Sequence, residues 1–481
     1  MKERPGVTSN CAEQLETKIS DRTARIGILG LGYVGVPLAR AFCQAGFRVR
    51  GFDVDAKRVQ TLRAGRSPIA HVPHADIASM RERGRLQVTT DMKELRKVDV
   101  ALVCVPTPIT ENQEPDLSYV QQATREIARY MNPGTLVVLE STTYPGTTEE
   151  IVQPILEESG LICGEGFFLA FSPEREDPGN RTYTTSNIPK LVGGVDDMGG
   201  TLAEQLYESA VETVVRVADA RTAEAAKVLE NTYRSVNIAL VNELKIIFDR
   251  MGIDVWQAID AAATKPFGFH PFYPGPGLGG HCIPVDPHYL SWRARQFGMP
   301  TRFIDLAGEV NGSMPDYVIS QVTRKLNEVG QAISQSEILV LGVAYKRDID
   351  DTRESPALKL ITKLKKLGAR VHYHDPYVPA LAPHPGFPHS MESVPLDEEV
   401  VANSDLVLIV TDHQNVDYAM VSRHAPLVVD TRNCLPPLGA EMREFLETTP
   451  TVLRTAQAAP REEHGTPPRT SQPQERSTPQ T

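Results

Sequence analysis

Short apolar runs bounded by glycine, proline or charge recur along the first half of the chain: RIGILGLG from Arg25, RVRGFDVD from Arg48, VDVALVCVP from Val98, TLVVLEST from Thr135 and FFLAFSPE from Phe167. They are continuously apolar rather than alternating, as strands buried on both faces of a parallel sheet are, and segments such as 35–46 between them are long enough for crossover helices. A doubly wound α/β unit is predicted. From Arg221 to Gly252 the period changes: Leu229, Val236, Leu240 and Ile247 fall on one face of a proline-free helix, and Glu224, Lys227, Asn231 and Arg234 form a polar stripe roughly opposite. Strands return in SEILVLGVAY from Ser336, ARVHYHDP from Ala369, SDLVLIVTD from Ser404 and PLVVDTRN from Pro426, which predicts a second α/β unit.

The expected layout is therefore α/β, with two Rossmann-like doubly wound domains joined by a long central helix. Residues 1–24 read as a polar, disordered leader and 25–220 as a dinucleotide-binding domain. Residues 221–333 read as a central helical region, 334–447 as the second Rossmann-like domain and 448–481 as a disordered tail rich in Pro, Ser, Thr and Gln. The long helix is a rigid connector or a dimerisation surface. Its apolar stripe is longer than one domain would cover, so a homodimer or higher form is expected.

Composition narrows the classes. The 481 residues are 41% hydrophobic and 23% charged, ordinary globular usage, with a formal charge of −11 that argues against a general nucleic-acid binder. The six cysteines lack C-x-x-C pairs or metal spacing, so a reduced, cytoplasmic protein without a bound metal is expected. No apolar run approaches the ~20 residues a bilayer needs, so no membrane span is expected.

Chemistry enters at two places. Gly30-Leu31-Gly32-Tyr33-Val34-Gly35 follows the first predicted strand and opens a helix, where a backbone must turn tightly against a pyrophosphate. Asp53 ends the second strand, 18 residues past Gly35, where a carboxylate accepts from ribose hydroxyls and favours NAD. The second place is Cys282, inside the glycine-rich stretch Gly275-Pro276-Gly277-Leu278-Gly279-Gly280-His281-Cys282-Ile283-Pro284-Val285-Asp286. A cysteine there, with an acid four residues on, reads as a nucleophile, and His281 reads as structural.

Together GLGYVG, SPEREDPGN, the Lys-x-x-x-Asn helix and PGPGLGGHCIPVDP resemble the UDP-glucose/GDP-mannose dehydrogenase family over nearly all of residues 25–447. The resemblance implies a metal-free, NAD-dependent four-electron oxidation of the C6 alcohol of a nucleotide sugar to a carboxylate. By that resemblance Cys282 forms a thiohemiacetal and then a thioester. Lys227 and Asn231 steady the oxygen at C6, Asp286 assists proton transfer, and Glu174 and Thr142 sit by the hydrolytic water, Thr142 also touching the nicotinamide. Thr107 and Arg58 join Gly30, Gly32, Tyr33, Val34, Gly35 and Asp53 on the cofactor. Arg234, Lys190, Phe272, Tyr273 and Gly279 line the sugar and phosphate cleft, and Lys346, Arg353 and Arg432 reach the UDP moiety and the partner subunit's site.

Departures from the family pattern bear on substrate. Val285 stands where UDP-glucose enzymes typically carry lysine, and Glu174-Arg175-Glu176 replaces their Glu-Phe-Leu. Both features resemble the amino-sugar branch, closest to UDP-N-acetylglucosamine 6-dehydrogenases, which supply uronic acids for surface polysaccharide. UDP-N-acetylmannosamine is the nearest rival and UDP-glucose a further one. Two other readings compete: a 3-hydroxyacid or 6-phosphogluconate type dehydrogenase, opposed by Cys282 and the second α/β unit, and a non-catalytic nucleotide-sugar sensor, opposed by the complete set of reactive residues.

Overall fold

The structure, a computed structural model, describes residues 8–69, 72–110, 112–176, 182–280 and 283–435. Cys282, His281 and the tail at 448–481 lie outside the described residues. The first α/β unit is an eight-stranded sheet of β1 (Arg25–Leu29), β2 (Arg48–Phe52), β3 (Leu86–Thr89), β4 (Val100–Val103), β5 (Thr135–Leu139), β6 (Phe167–Phe171), β7 (Lys190–Gly194) and β8 (Val214–Arg216). Its order is β3-β2-β1-β4-β5-β6-β7-β8, parallel except where β6 meets β7. β4, β5 and β6 are buried along their whole lengths, as continuously apolar strands must be. β3 (LQVT), β7 (KLVGG) and β8 (VVR) mix polar or glycine residues with at most three apolar ones, so the apolar-run pattern did not announce them.

The carboxyl-terminal unit holds β9 (Glu337–Leu341), β10 (Arg370–His374), a small antiparallel pair β11 (Ala380–Leu381) and β12 (Met391–Glu392), then β13 (Leu406–Ile409) and β14 (Val428–Asp430). Its main sheet runs β10-β9-β13-β14, all parallel. Between the units a helix spans Ala220–Met251, begun by Asp219 accepting from Thr222 N at 2.7 Å and ended by Gly252 in the left-handed region at φ 70°. A second long helix, Arg302–Glu328, packs along it.

One expectation is corrected. Residues 8–20 of the predicted disordered leader form a helix, Thr8–Ser20, because Ala12, Leu15 and Ile19 recur at helical spacing; all three are buried against the first unit. Lys18 pairs with Asp99 at 2.8 Å and Glu16 accepts from Gln205 at 2.7 Å, which fixes the helix on the domain. On the long helix, the apolar stripe read as a dimerisation surface lies exposed, and the polar stripe turns inward. Leu229 is 65% and Leu240 52% exposed, whereas Glu224, Lys227 and Asn231 are buried. Among the described residues no helix is long and apolar enough to cross a membrane.

Leu15→Ala is expected to destabilise the amino-terminal unit by about 2–4 kcal/mol, the usual cost of removing a buried leucine. Differential scanning calorimetry reads this as an earlier first transition; an unshifted transition would mean that the helix does not dock.

Candidate active site

The glycine turn is shaped by contacts that leave no room for side chains. Gly30 has φ +95°, and a Cβ on Gly35 would lie 1.9 Å from the carbonyl oxygen of Gly30. By contrast, a Cβ on Gly32 would meet nothing within 4 Å, so the middle of the turn is an open cradle in front of the helix Gly35–Gln44, whose first residues are Gly35 and Val36. Asp53 is buried, and its Oδ2 accepts from Leu31 N at 2.9 Å and from Arg58 at 3.0 Å. The acid thus holds the turn itself in place. Tyr33 and Val34 pack at the edge of the core, and Thr107, after β4, has its carbonyl bonded by the Tyr289 hydroxyl.

The polar stripe of the long helix forms a buried seam facing the first unit. Glu224 accepts from Gly146 N at 2.5 Å and from Thr148 N at 2.9 Å, which clasps the loop that carries half-buried Thr142. Burial pushes the Glu224 carboxyl up to about 7. One turn on, Lys227 donates to the carbonyl oxygen of Glu174. Asn231 Nδ2 donates to Asp286 Oδ2 at 2.5 Å, and Arg234 donates to Asn231 Oδ1. Asp286 opens the helix Asp286–Gln296 and is 3% exposed; burial raises its carboxyl to about 6, with Lys227, Asn231 and Arg234 opposing the rise. Glu174, just after β6, has its Oε1 tied to Arg175 N at 2.8 Å and Glu176 N at 2.6 Å. Lys227, Asn231, Asp286 and Glu174 are therefore brought together, as is Arg234.

Other expected ligands lie elsewhere. Lys190 is 4% exposed, bonded to Glu140 at 2.6 Å and 3.6 Å from Glu174 Oε2, so it lies buried beneath the seam and does not line an open cleft. Phe272 packs on Tyr233 of the long helix's outward face, and Tyr273 stacks on Trp256 and bonds Asp260 at 2.7 Å, both away from the seam. Sequence reasoning missed Glu140, Tyr207 and Tyr289. It named Glu224 without a role, although its place on the polar stripe was the signal.

The carboxyl-terminal unit reaches both ends of the glycine loop. Gly275 N donates to Asn242 Oδ1 at 2.9 Å, and a Cβ on Gly275 would lie 2.9 Å from the Arg432 guanidinium. A Cβ on Gly279 would lie 2.6 Å from Tyr345, and Gly280 N donates to the carbonyl oxygen of Arg353 at 3.2 Å. Arg353, braced by Asp351, lies 4.4 Å from the ring centroid of Tyr33 in the cofactor turn. Lys346 is half-buried in the same segment.

Comparison with known proteins decides the class. The UDP-glucose/GDP-mannose dehydrogenase family matches through its NAD binding domain at residues 24–211, its central domain at 221–313 and its UDP binding domain at 339–437. A UDP-N-acetyl-D-mannosamine dehydrogenase of Pyrococcus horikoshii is 36% identical over 86% of this chain and 97% of its own. The chain belongs to the UDP-glucose/GDP-mannose dehydrogenase family. A UDP-N-acetyl-D-glucosamine 6-dehydrogenase of Pseudomonas aeruginosa is 38% identical over 74% of this chain and 83% of its own. The solved Pyrococcus horikoshii UDP-N-acetylmannosamine dehydrogenase superposes with a TM-score of 0.78 at 34% identity, covering 86% of this chain and 97% of that one.

As a family member the chain carries an NAD-binding and a UDP-binding domain, and the open cradle at Gly32 fits a dinucleotide whose pyrophosphate sits at the helix start. Among the described residues no group of three or more His, Cys, Asp or Glu side chains is placed to hold a metal ion.

Gly35→Ala is expected to weaken NAD binding by about tenfold or more, or a loss of at least ~1.4 kcal/mol, because the added methyl displaces the Gly30 carbonyl. Calorimetric titration checks this; unchanged affinity would refute the reading of the turn. For Asp286, the folded state holds its proton more tightly than an unfolded chain, so this group lowers stability as pH rises from about 4 to about 6. Asp286→Asn should therefore unfold later than the parent at pH 7.5, by about 1–3 kcal/mol, with the gain fading toward pH 4. Thermal melts across that range test it, and a gain that grows on acidification would contradict it.

Proposed function

We propose that this chain is a UDP-N-acetylglucosamine 6-dehydrogenase that carries out an NAD-dependent, four-electron oxidation of the sugar's C6 alcohol to a carboxylate. Bound NAD supplies the hydride acceptor, once for each of two oxidations. In this reading the Cys282 thiolate adds to the C6 aldehyde after the first oxidation. The second leaves a thioester, which water cleaves to the acid. Lys227 and Asn231 stabilise the oxygen at C6 as it gains charge, Asp286 exchanges its proton, and Glu174 and Thr142 orient the water. The reading rests on one observation above the others: Lys227, Asn231 and Asp286 are buried along a single seam that Lys227 joins to half-buried Glu174, and Asp286 lies four residues after Cys282.

Arg234, Arg432, Lys346 and Gly279 are proposed on the nucleotide-sugar side, and Arg353, stacked on Tyr33, on the cofactor side. Substrate choice within the family is proposed from Val285 and Arg175, and the amino-sugar names of the relatives support it. Incubation with NAD and UDP-N-acetylglucosamine, UDP-N-acetylmannosamine, UDP-N-acetylgalactosamine and UDP-glucose, followed by mass spectrometry, is the direct test. The expected result is UDP-N-acetylglucosaminuronic acid with two NADH per sugar, reduced to background in Cys282→Ala. One NADH per sugar with a free aldehyde would overturn the mechanism. Preference for another sugar in the panel would overturn the substrate.

We also propose a homodimer through the outward face of the long helix, where Leu229, Tyr233, Leu240 and Ile247 are all exposed. Sedimentation is expected to show a dimer that Leu240→Glu dissociates; a stable, active wild-type monomer would refute it.

A further inference from the structure

The buried cluster beneath Glu174 has no place in the chemistry above. Glu140, at the end of β5, is 1% exposed; its Oε2 accepts from Lys190 at 2.6 Å and its Oε1 from the hydroxyl of Tyr207, which is itself fully buried. Lys190 Nζ also lies 3.6 Å from Glu174 Oε2 and 5.2 Å from the centre of the Tyr207 ring. Glu174 Oε2 is buried and takes no hydrogen bond among the described residues, while its Oε1 is fixed by two backbone amides. A fully buried ammonium would ordinarily shed its proton. Here burial does work in that direction, but Glu140 and Glu174 outweigh it and hold Lys190 protonated. One cation is thus divided between two carboxylates, one structural and one at the seam.

We propose that Lys190 is a positioning residue whose charge, apportioned by Glu140, keeps Glu174 an oriented carboxylate ready to take a proton from the hydrolytic water. The inference rests on the function proposed above and assigns Lys190 to the last step alone. In that step the water oxygen bonds to the acyl carbon, the C–S bond breaks with its electron pair leaving on the Cys282 sulfur, and a water proton passes to Glu174. Among the described residues the groups facing Glu174 are Lys190 from β7, Glu140 after β5, Glu176 from its own segment, Cys104 after β4, and Lys227 from the long helix through the Glu174 carbonyl. Of these, only Lys190 places a cation on the free oxygen.

Opposite substitutions should move hydrolysis in opposite directions. Lys190→Met removes the cation 3.6 Å from the free carboxylate oxygen of Glu174, and the acid limb of the steady-state profile is expected to rise by about one unit or more. Glu140→Gln removes the competing anion, gives the whole charge to Glu174 and lowers that limb. In Lys190→Met the pre-steady-state burst should still deliver two NADH per site, while turnover falls by about 10- to 100-fold and intact-protein mass spectrometry finds an acyl adduct. Lys190→Arg, which retains the charge, should restore much of the turnover. If Lys190→Met slows the first hydride transfer as much as turnover, or if neither profile moves, the proposal is wrong. Should Lys190→Met not fold, the downward shift in Glu140→Gln decides, and an unmoved limb there rejects the idea. The wild-type burst separates the two claims: a single NADH per site defeats the parent mechanism, whereas two with unmoved variants defeats only the role of Lys190.

Discussion

A charged or polar side chain buried without a partner is strongly unfavourable, and this protein buries several along one helix. Glu224, Lys227 and Asn231 turn inward because each meets a group that satisfies it: two backbone amides, the Glu174 carbonyl and the Asp286 carboxylate. Further along, Asn242 bridges Asn311 at 2.9 Å and Gly275 N at 2.9 Å. These polar groups share the inner face with Val228, Ala239 and Val241, which are also buried, so the remaining large apolar residues lie on the outer one. The exposed Leu229, Leu240 and Ile247 are therefore a consequence of the buried seam.

The two α/β units show how similar turns are put to different ends. In each, the acid ending the second strand of the unit accepts from the backbone of the turn after the first: Asp53 from Leu31 N at 2.9 Å, and Asp375 from Val343 N at 2.7 Å. In the carboxyl-terminal unit His413, fully buried, adds a contact to Asp375 at 3.0 Å, and its Nδ1 accepts from Asp348 N. A Cβ on Gly342 would lie 2.3 Å from the Thr411 carbonyl oxygen, and Val343 and Ala344 follow without further glycines. That turn is packed shut, while the first keeps the open space at Gly32. The difference agrees with the assignment of NAD binding to the first unit and UDP binding to the second.

Much of this was legible in the chain. Buried parallel strands write themselves as unbroken apolar runs, and the nine runs read from sequence are all strands. The polar stripe at 224, 227, 231 and 234 correctly placed four side chains on one helix face. The errors share a cause: local patterns do not say which face has a partner. Ala12, Leu15 and Ile19 repeat helically but are diluted by charge, so the segment read as a leader. Lys190 opens β7 beside apolar residues, and nothing local reveals that Glu140, fifty positions earlier, lies opposite it. Tyr207 and Tyr289 act through carboxylate and carbonyl oxygens that only the fold brings near.

The glycine loop shows how far chemistry depends on both units at once. Asn242 fixes its start, Arg432 occupies the space a side chain on Gly275 would need, and Tyr345 presses on Gly279 through its Cβ and on Gly280 through its ring so closely that neither could carry a Cβ without displacing it. The loop's course is therefore dictated by the long helix on one side and the carboxyl-terminal unit on the other. Arg353 belongs to the segment that presses on the loop and also lies over Tyr33 of the cofactor turn. A displacement of the carboxyl-terminal unit would then move the glycine loop up to Gly280 and the lip of the dinucleotide cradle together, so the packing of Tyr345 and Arg353 couples that loop to the NAD-binding turn.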